Sequence, residues 1–114
     1  MRRTKGTLAI DFDGTIVEHA YPAVGPLKKN VVDVINGLYE KWEIIIWTCR
    51  NNPTLNPDKR YLDDVRRCLD SNGIKYDRID VGAQGKVLAD FYIDDRAVAF
   101  TDNWAEIKTM LDNQ

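Results

Sequence analysis

Leu8-Ala9-Ile10 runs straight into Asp11-Phe12-Asp13-Gly14-Thr15, and the chain turns apolar again at Ile16-Val17. A short apolar run closed by a glycine reads as a buried strand ending in a tight turn. Residues i and i+2 of a strand point the same way, so Asp11 and Asp13 leave its C-terminal end side by side. Two carboxylates that close repel unless a cation lies between them or one holds a proton. A plain Asp-Gly turn after a solvated strand end is the blander alternative. Chance alone places on the order of one or two such Asp pairs in a chain with 14 Asp. The adjacent pair Asp63-Asp64 reads as a solvated helix face.

The rest of the chain alternates strand and helix patterns. The strand expected at 7–12 is followed by an irregular stretch at 16–26 carrying Pro22, Gly25 and Pro26, which reads as a loop or small hairpin flap. A helix is predicted over 27–41, because Val31, Val34, Ile35 and Leu38 make one apolar stripe. Residues 43–48 form a second strand, and its unbroken Ile44-Ile45-Ile46-Trp47 run suits a central parallel strand covered on both faces. After a polar loop at 49–56, Asn56-Pro57 reads as a helix start and Asn72-Gly73 as its stop, with Leu62, Val65 and Leu69 facing inward. One or two short strands are expected within 74–81, a turn at 82–85, a strand at 89–94 and a last short strand at 98–100. Asn103 and Glu106 resemble a capping box, opening a helix whose apolar face is Trp104, Ile107 and Leu111. The alternation predicts an α/β fold: a three-layer sandwich on a mostly parallel Rossmann-like sheet, formed by residues 1–114 as one domain.

Composition narrows the function classes. Sixteen basic residues against eighteen acidic give a net charge of -2, which is no footprint for nucleic acid. The basic start Arg2-Arg3-Thr4-Lys5 is followed by no apolar segment long enough for a signal peptide or a membrane span. Cys49 and Cys68 make no CxxC and no disulfide framework, so reduced thiols and a cytoplasmic setting are expected, with no membrane partner.

Ligands of open parallel sheets bind beyond the carboxyl ends of the strands. There the first strand presents Asp11 and Asp13, the second Thr48, and the later strand Asp94 and Asp95, with Lys86 just before it. Carboxylates from two strand ends suit a hard cation such as Mg²⁺. A hydroxyl and a lysine beside them complete a cradle for a phosphoryl group. Apolar strand then DxDGT, apolar strand then Thr, and Lys before an apolar strand ending in DD follow one another in that order.

This combination resembles the haloacid dehalogenase-like (HAD) superfamily of phosphohydrolases, over nearly the whole chain and most specifically at Asp11-Phe12-Asp13-Gly14-Thr15. The resemblance implies a HAD-like catalytic domain with its first strand central. It implies Asp11 as the nucleophile that becomes a phospho-aspartate, and Asp13 as acid for the leaving group and then base for water. Thr48 would hydrogen-bond the phosphoryl oxygens, and Lys86 would offset their charge. Asp11, the Asp13 backbone carbonyl and Asp94 would surround Mg²⁺, with Asp95 holding a metal water or Lys86. The eight-residue step from Lys86 to Asp94 is shorter than in many members, which makes Lys75 the fallback. Arg50 is a further candidate for substrate phosphate, with a plain surface loop residue as the equal alternative. His19 reads as an exposed flap residue, and Cys49 as a small buried one.

The implied function is magnesium-dependent hydrolysis of a phosphate monoester. The alternatives are a phosphorylation-switched receiver-like domain and a catalytically inactive binding domain. Only 34 residues separate Asp13 from Thr48, and 37 separate Thr48 from Lys86, so neither interval holds an inserted cap domain. A capless site needs another way to exclude water. Either a phosphorylated macromolecular substrate covers it, or a neighbouring subunit of a homo-oligomer does.

Overall fold

The structure, a computed structural model, describes residues 2–52, 60–82 and 85–114. Four strands form one sheet in the order β3-β2-β1-β4, and every pairing is parallel. The strands are β1 (Thr7–Asp11), β2 (Glu43–Trp47), β3 (Arg78–Ile79) and β4 (Phe91–Ile93). The α-helices are α1 (Val31–Tyr39), α2 (Arg60–Ser71) and α3 (Trp104–Asp112), and a 3₁₀ turn spans Cys49–Asn51. The expected start of the second helix at Asn56-Pro57 lies outside the described residues.

The two apolar runs make the centre of the sheet. β1 and β2 pair in register from Thr7 with Glu43 to Asp11 with Trp47. Leu8, Ile10, Ile44 and Ile46 point to one face, where they pack with Ile35 of α1 and with Val65 and Leu69 of α2. Ala9 and Ile45 point to the other face and meet Val87, with Trp47, Ala89 and Tyr92 around them. The chain steps one way from β1 to β2 to β3, so right-handed crossovers put α1 and α2 on the same face. It then returns past β1 to β4, and this reversed step carries the chain across the opposite face, where Val87 covers it. The expected third layer is therefore chain around Val87 rather than helix.

Three boundaries move for identifiable reasons. α1 starts at Val31, the first residue of its apolar stripe and four residues after the expected start at 27, because residues 27 and 28 belong to the flap. Val17 bridges Leu27, and the Lys28 N–H donates to the Ile16 carbonyl at 2.9 Å. Asn30 then takes a left-handed conformation (φ 66°) before the helix opens. β4 starts two residues late because Asp90 turns its carboxylate onto the Thr7 N–H at 2.7 Å. The strand expected at 98–100 does not form. Val98 and Phe100 are exposed, and the sheet ends at β4.

Asn103 does stand at the start of α3, but its side chain caps nothing in the helix. Its Oδ1 accepts from the Thr101 N–H at 2.8 Å. The expected inward face of α3 also fails: none of its residues is buried, and Trp104 is 72% exposed.

Candidate active site

Asp11 closes β1, and the chain turns immediately. The Ile16 N–H donates to the Phe12 carbonyl at 2.9 Å, and the Gly14 N–H to the Val17 carbonyl at 2.8 Å. This turn needs Gly14 in the left-handed region (φ 86°). A Cβ there would strike both His19 and Asp95, so the glycine lets the flap and the end of β4 meet across the strand end. Residues 16–18 and 26–28 form the two limbs of the flap, joined also by the Glu18 N–H to the Pro26 carbonyl at 2.8 Å.

Asp11, Asp94 and Asp95 converge here, each offering a carboxylate oxygen within 4.8 Å of the others. β1 and β4 are adjacent and parallel, with Ile10 opposite Ile93, so the residues that follow them arrive together. Among the described residues no lysine or arginine side chain pairs with the three, and His19 Nε2 lies 3.0 Å from Asp95 Oδ2. Burial, and then the charge of Asp94, push the Asp11 carboxyl up to about 7, against hydrogen bonds from the Phe12 N–H and the Thr15 hydroxyl. His19 lowers the Asp95 carboxyl by hydrogen bonding. A crowded, all-oxygen acidic cluster that is costly to ionise is the donor chemistry that fits a hard divalent cation.

Asp13 points elsewhere. Arg50 grips it through both oxygens, Nε to Oδ2 and Nη2 to Oδ1, each at 2.7 Å. The same guanidinium donates to the flap carbonyls of Pro22 at 2.9 Å and Ala23 at 2.8 Å. Arg50 is 1% exposed. The sequence allows Arg50 either a phosphate contact or a surface loop position; here it ties the end of β1 to the flap, because its short 3₁₀ turn aims it back beneath the sheet end. Thr48 nucleates that turn: its Oγ1 accepts from the Arg50 N–H at 3.1 Å. Thr48 is buried beside the strand end, and its hydroxyl proton can still be donated.

The lysines fall away from this cluster. Lys86 is exposed, with Nζ 4.8 Å from the centre of the Tyr92 ring, and it makes no ion pair with the carboxylates among the described residues. Lys75 precedes β3, so it stands at the opposite end of the sheet, where it pairs with Glu40 at 3.6 Å. That position removes it as the fallback.

A cavity of about 460 Å³ opens over the strand ends. Asp11, Asp13, Asp94 and Asp95 line it together with His19, Tyr21, Cys49 and Arg96. His19 and Cys49 are the residues that sequence reasoning undervalued, and Cys49 is exposed rather than buried. The signal available for both was position: His19 follows DxDGT within the flap, and Cys49 directly follows Thr48. The site thus brings together three carboxylates that could hold a cation, and two further groups able to carry protons, Asp13 and His19.

No family model matches the sequence, and no curated protein matches it either. A solved structure of a conserved protein coded by a locus of Bacteroides thetaiotaomicron is similar at 32% identity, with a TM-score of 0.68, over 95% of this chain and 90% of that one. The chain belongs to the same family as that protein. The likeness takes in almost all of both chains, so the overall fold is shared.

Proposed function

We propose that this chain is a HAD-like, magnesium-dependent phosphohydrolase that works through a phospho-aspartate on Asp11. The observation that carries the reading is the convergence of Asp11, Asp94 and Asp95 at the ends of adjacent parallel strands. Asp11, Asp94 and Asp95 would hold Mg²⁺, which would offset the charge of the carboxylates and of a bound phosphate. One Asp11 oxygen attacks phosphorus, and the bond to the leaving oxygen breaks as that oxygen takes a proton from the site. Water then attacks phosphorus and gives up a proton, the bond to Asp11 breaks, and inorganic phosphate leaves. Splitting hydrolysis into two displacements is the advantage of a carboxylate nucleophile, and the rest is positioning and charge.

Asp13 is the expected proton carrier, two residues beyond the nucleophile. It has to compete with Arg50, which engages both its oxygens. His19 on the cavity wall is the second candidate. Thr48 supports the reading as a buried hydroxyl at the end of β2. Lys86 has no place in it without a movement of the chain before β4.

Turnover of an aryl phosphate, with and without Mg²⁺, tests the proposal. Mg²⁺-dependent turnover that Asp11→Asn abolishes is expected. Stoichiometric phosphorylation without turnover would favour the receiver-like alternative, and full activity in Asp11→Asn would sink the mechanism. Comparing Asp13→Asn with His19→Gln separates the proton carriers, since losing the true acid slows poor leaving groups far more than activated ones. Screening the wild type over small metabolite phosphates and phosphorylated macromolecules tests the expectation of a large substrate.

A further inference from the structure

The C-terminal third of the chain shows a surface that the fold leaves uncovered. On α3, Trp104 and Leu111 are exposed, and the Phe100 ring packs at a tilt against Trp104 with ring centres 5.3 Å apart. Trp104, Ile107 and Leu111 fall at helical spacing, so they form one stripe. A matching groove lies on the body of the same chain. β4 is an edge strand, and Phe91 and Ile93, in register with Leu8 and Ile10, face the side that α1 covers. Between α1 and β4, the side chains of Val34, Ile35, Leu38, Ile10 and Ile93 line a cavity of about 190 Å³, with Lys28 and Lys29 at its rim. Parallel sheets are covered on both faces, yet Val34 and Phe91 stand more than half exposed.

We propose that two copies of the chain exchange α3, each laying its Trp104–Leu111 stripe into the α1–β4 groove of the other. Three observations select a second copy. The chain exposes 7950 Å², whereas a folded monomer of 13.1 kDa exposes roughly 6,400 Å². The excess, roughly 1,500 Å², exceeds the ~800 Å² that one partner contributes to a standard interface. The charges also match: with Lys28 paired to Glu18 and Asp112 to Lys108, Asp102 and Glu106 on the helix side face Lys29 on the groove. Finally, each copy holds both halves of the contact. A two-fold axis therefore makes the contact twice and closes the assembly, as in domain swapping. The exposed segment 95–102, with Asp102 at φ 58°, is the arm that carries α3 outward.

Sedimentation velocity on the full chain tests this inference without reference to catalysis. The wild type should sediment at twice 13.1 kDa. Val34→Glu in the groove and Leu111→Glu on the helix should each halve that mass while far-UV circular dichroism stays unchanged, since both positions are exposed. Trp104→Gln provides a milder helix variant should Leu111→Glu lose its fold. Mixing the groove and helix variants should restore a dimer that keeps one intact contact. A wild-type monomer, with α3 free or folded into its own groove, overturns the proposal. So does a dimer that survives Val34→Glu, which would place the contact elsewhere, and so does a mixture that stays monomeric.

Discussion

At the scale of single residues, Asp11 and Arg50 carry the tension of this site. The Asp11 carboxyl is raised from 3.8 to about 7, so the folded chain binds that proton more tightly than the unfolded chain. The linked stabilisation is complete below about pH 4 and is lost as pH rises through about 7. Without divalent cation, the melting temperature should therefore fall between about pH 4 and pH 7, and Asp11→Asn should flatten that fall; calorimetry across the range reads both. Arg50 poses the opposite problem, a buried cation satisfied by one carboxylate and two carbonyls. Arg50→Ala leaves Asp13 unpaired and removes the flap anchor. Removing one partner of a buried pair costs about 3–5 kcal/mol, and we expect the lower end of that range because Asp13 retains some exposure. Arg50→Lys should recover only part of the loss, since an ammonium lacks the planar fork. Urea unfolding of the two variants measures the difference, and an Arg50→Ala chain as stable as the wild type would remove Arg50 from this role.

At the scale of elements, the turn after β1 and the flap act as one piece. Gly14 holds φ 86°, and its missing Cβ is the space shared by His19 and Asp95. Gly14→Ala pays both for a left-handed backbone and for pushing those side chains apart. It should destabilise the chain by more than ~1 kcal/mol and weaken cation binding at the same time. Equilibrium unfolding and a Mg²⁺ titration of this one variant check the pair of effects. A variant that loses stability but binds Mg²⁺ as the wild type does would separate the turn from the site. α1 shows a related competition. Its stripe was readable from Val31, Val34, Ile35 and Leu38, but the turn expected ahead of it at 27–30 goes to flap pairing that no periodicity reveals.

At the scale of the whole molecule, the acidic cluster sits where three separate parts of the chain meet: the end of β1, the end of β4 and the flap. A ligand bound there holds those parts together and should stabilise the entire fold. If the site takes Mg²⁺, a concentration 100 times its Kd should add about 2.7 kcal/mol. Melting temperature should rise with the logarithm of Mg²⁺ concentration in the wild type and stay level in Asp11→Asn. No rise at all in the wild type would remove the cation from the reading. No described helix is long and apolar enough to cross a membrane, in keeping with the short apolar runs of the sequence.

Much of the architecture was legible in the chain because it rests on local pattern. Unbroken apolar runs at Leu8–Ile10 and Ile44–Trp47 specify central parallel strands, and the stripes of α1 and α2 specify helices that cover them. Positions at strand ends follow from that order, so the sequence alone places Asp11, Asp94 and Asp95 at the carboxyl end of the sheet. Tertiary structure alone decided the partners of each side chain. Arg50 reads as a loop cation until the 3₁₀ turn buries it on Asp13, and Lys86 reads as a phosphate ligand until it stands over Tyr92. His19 enters the site only because the flap folds back over Gly14. The stripe on α3 shows the same limit: spacing marks an apolar face, but only the packing of the whole chain determines which surface, if any, covers it.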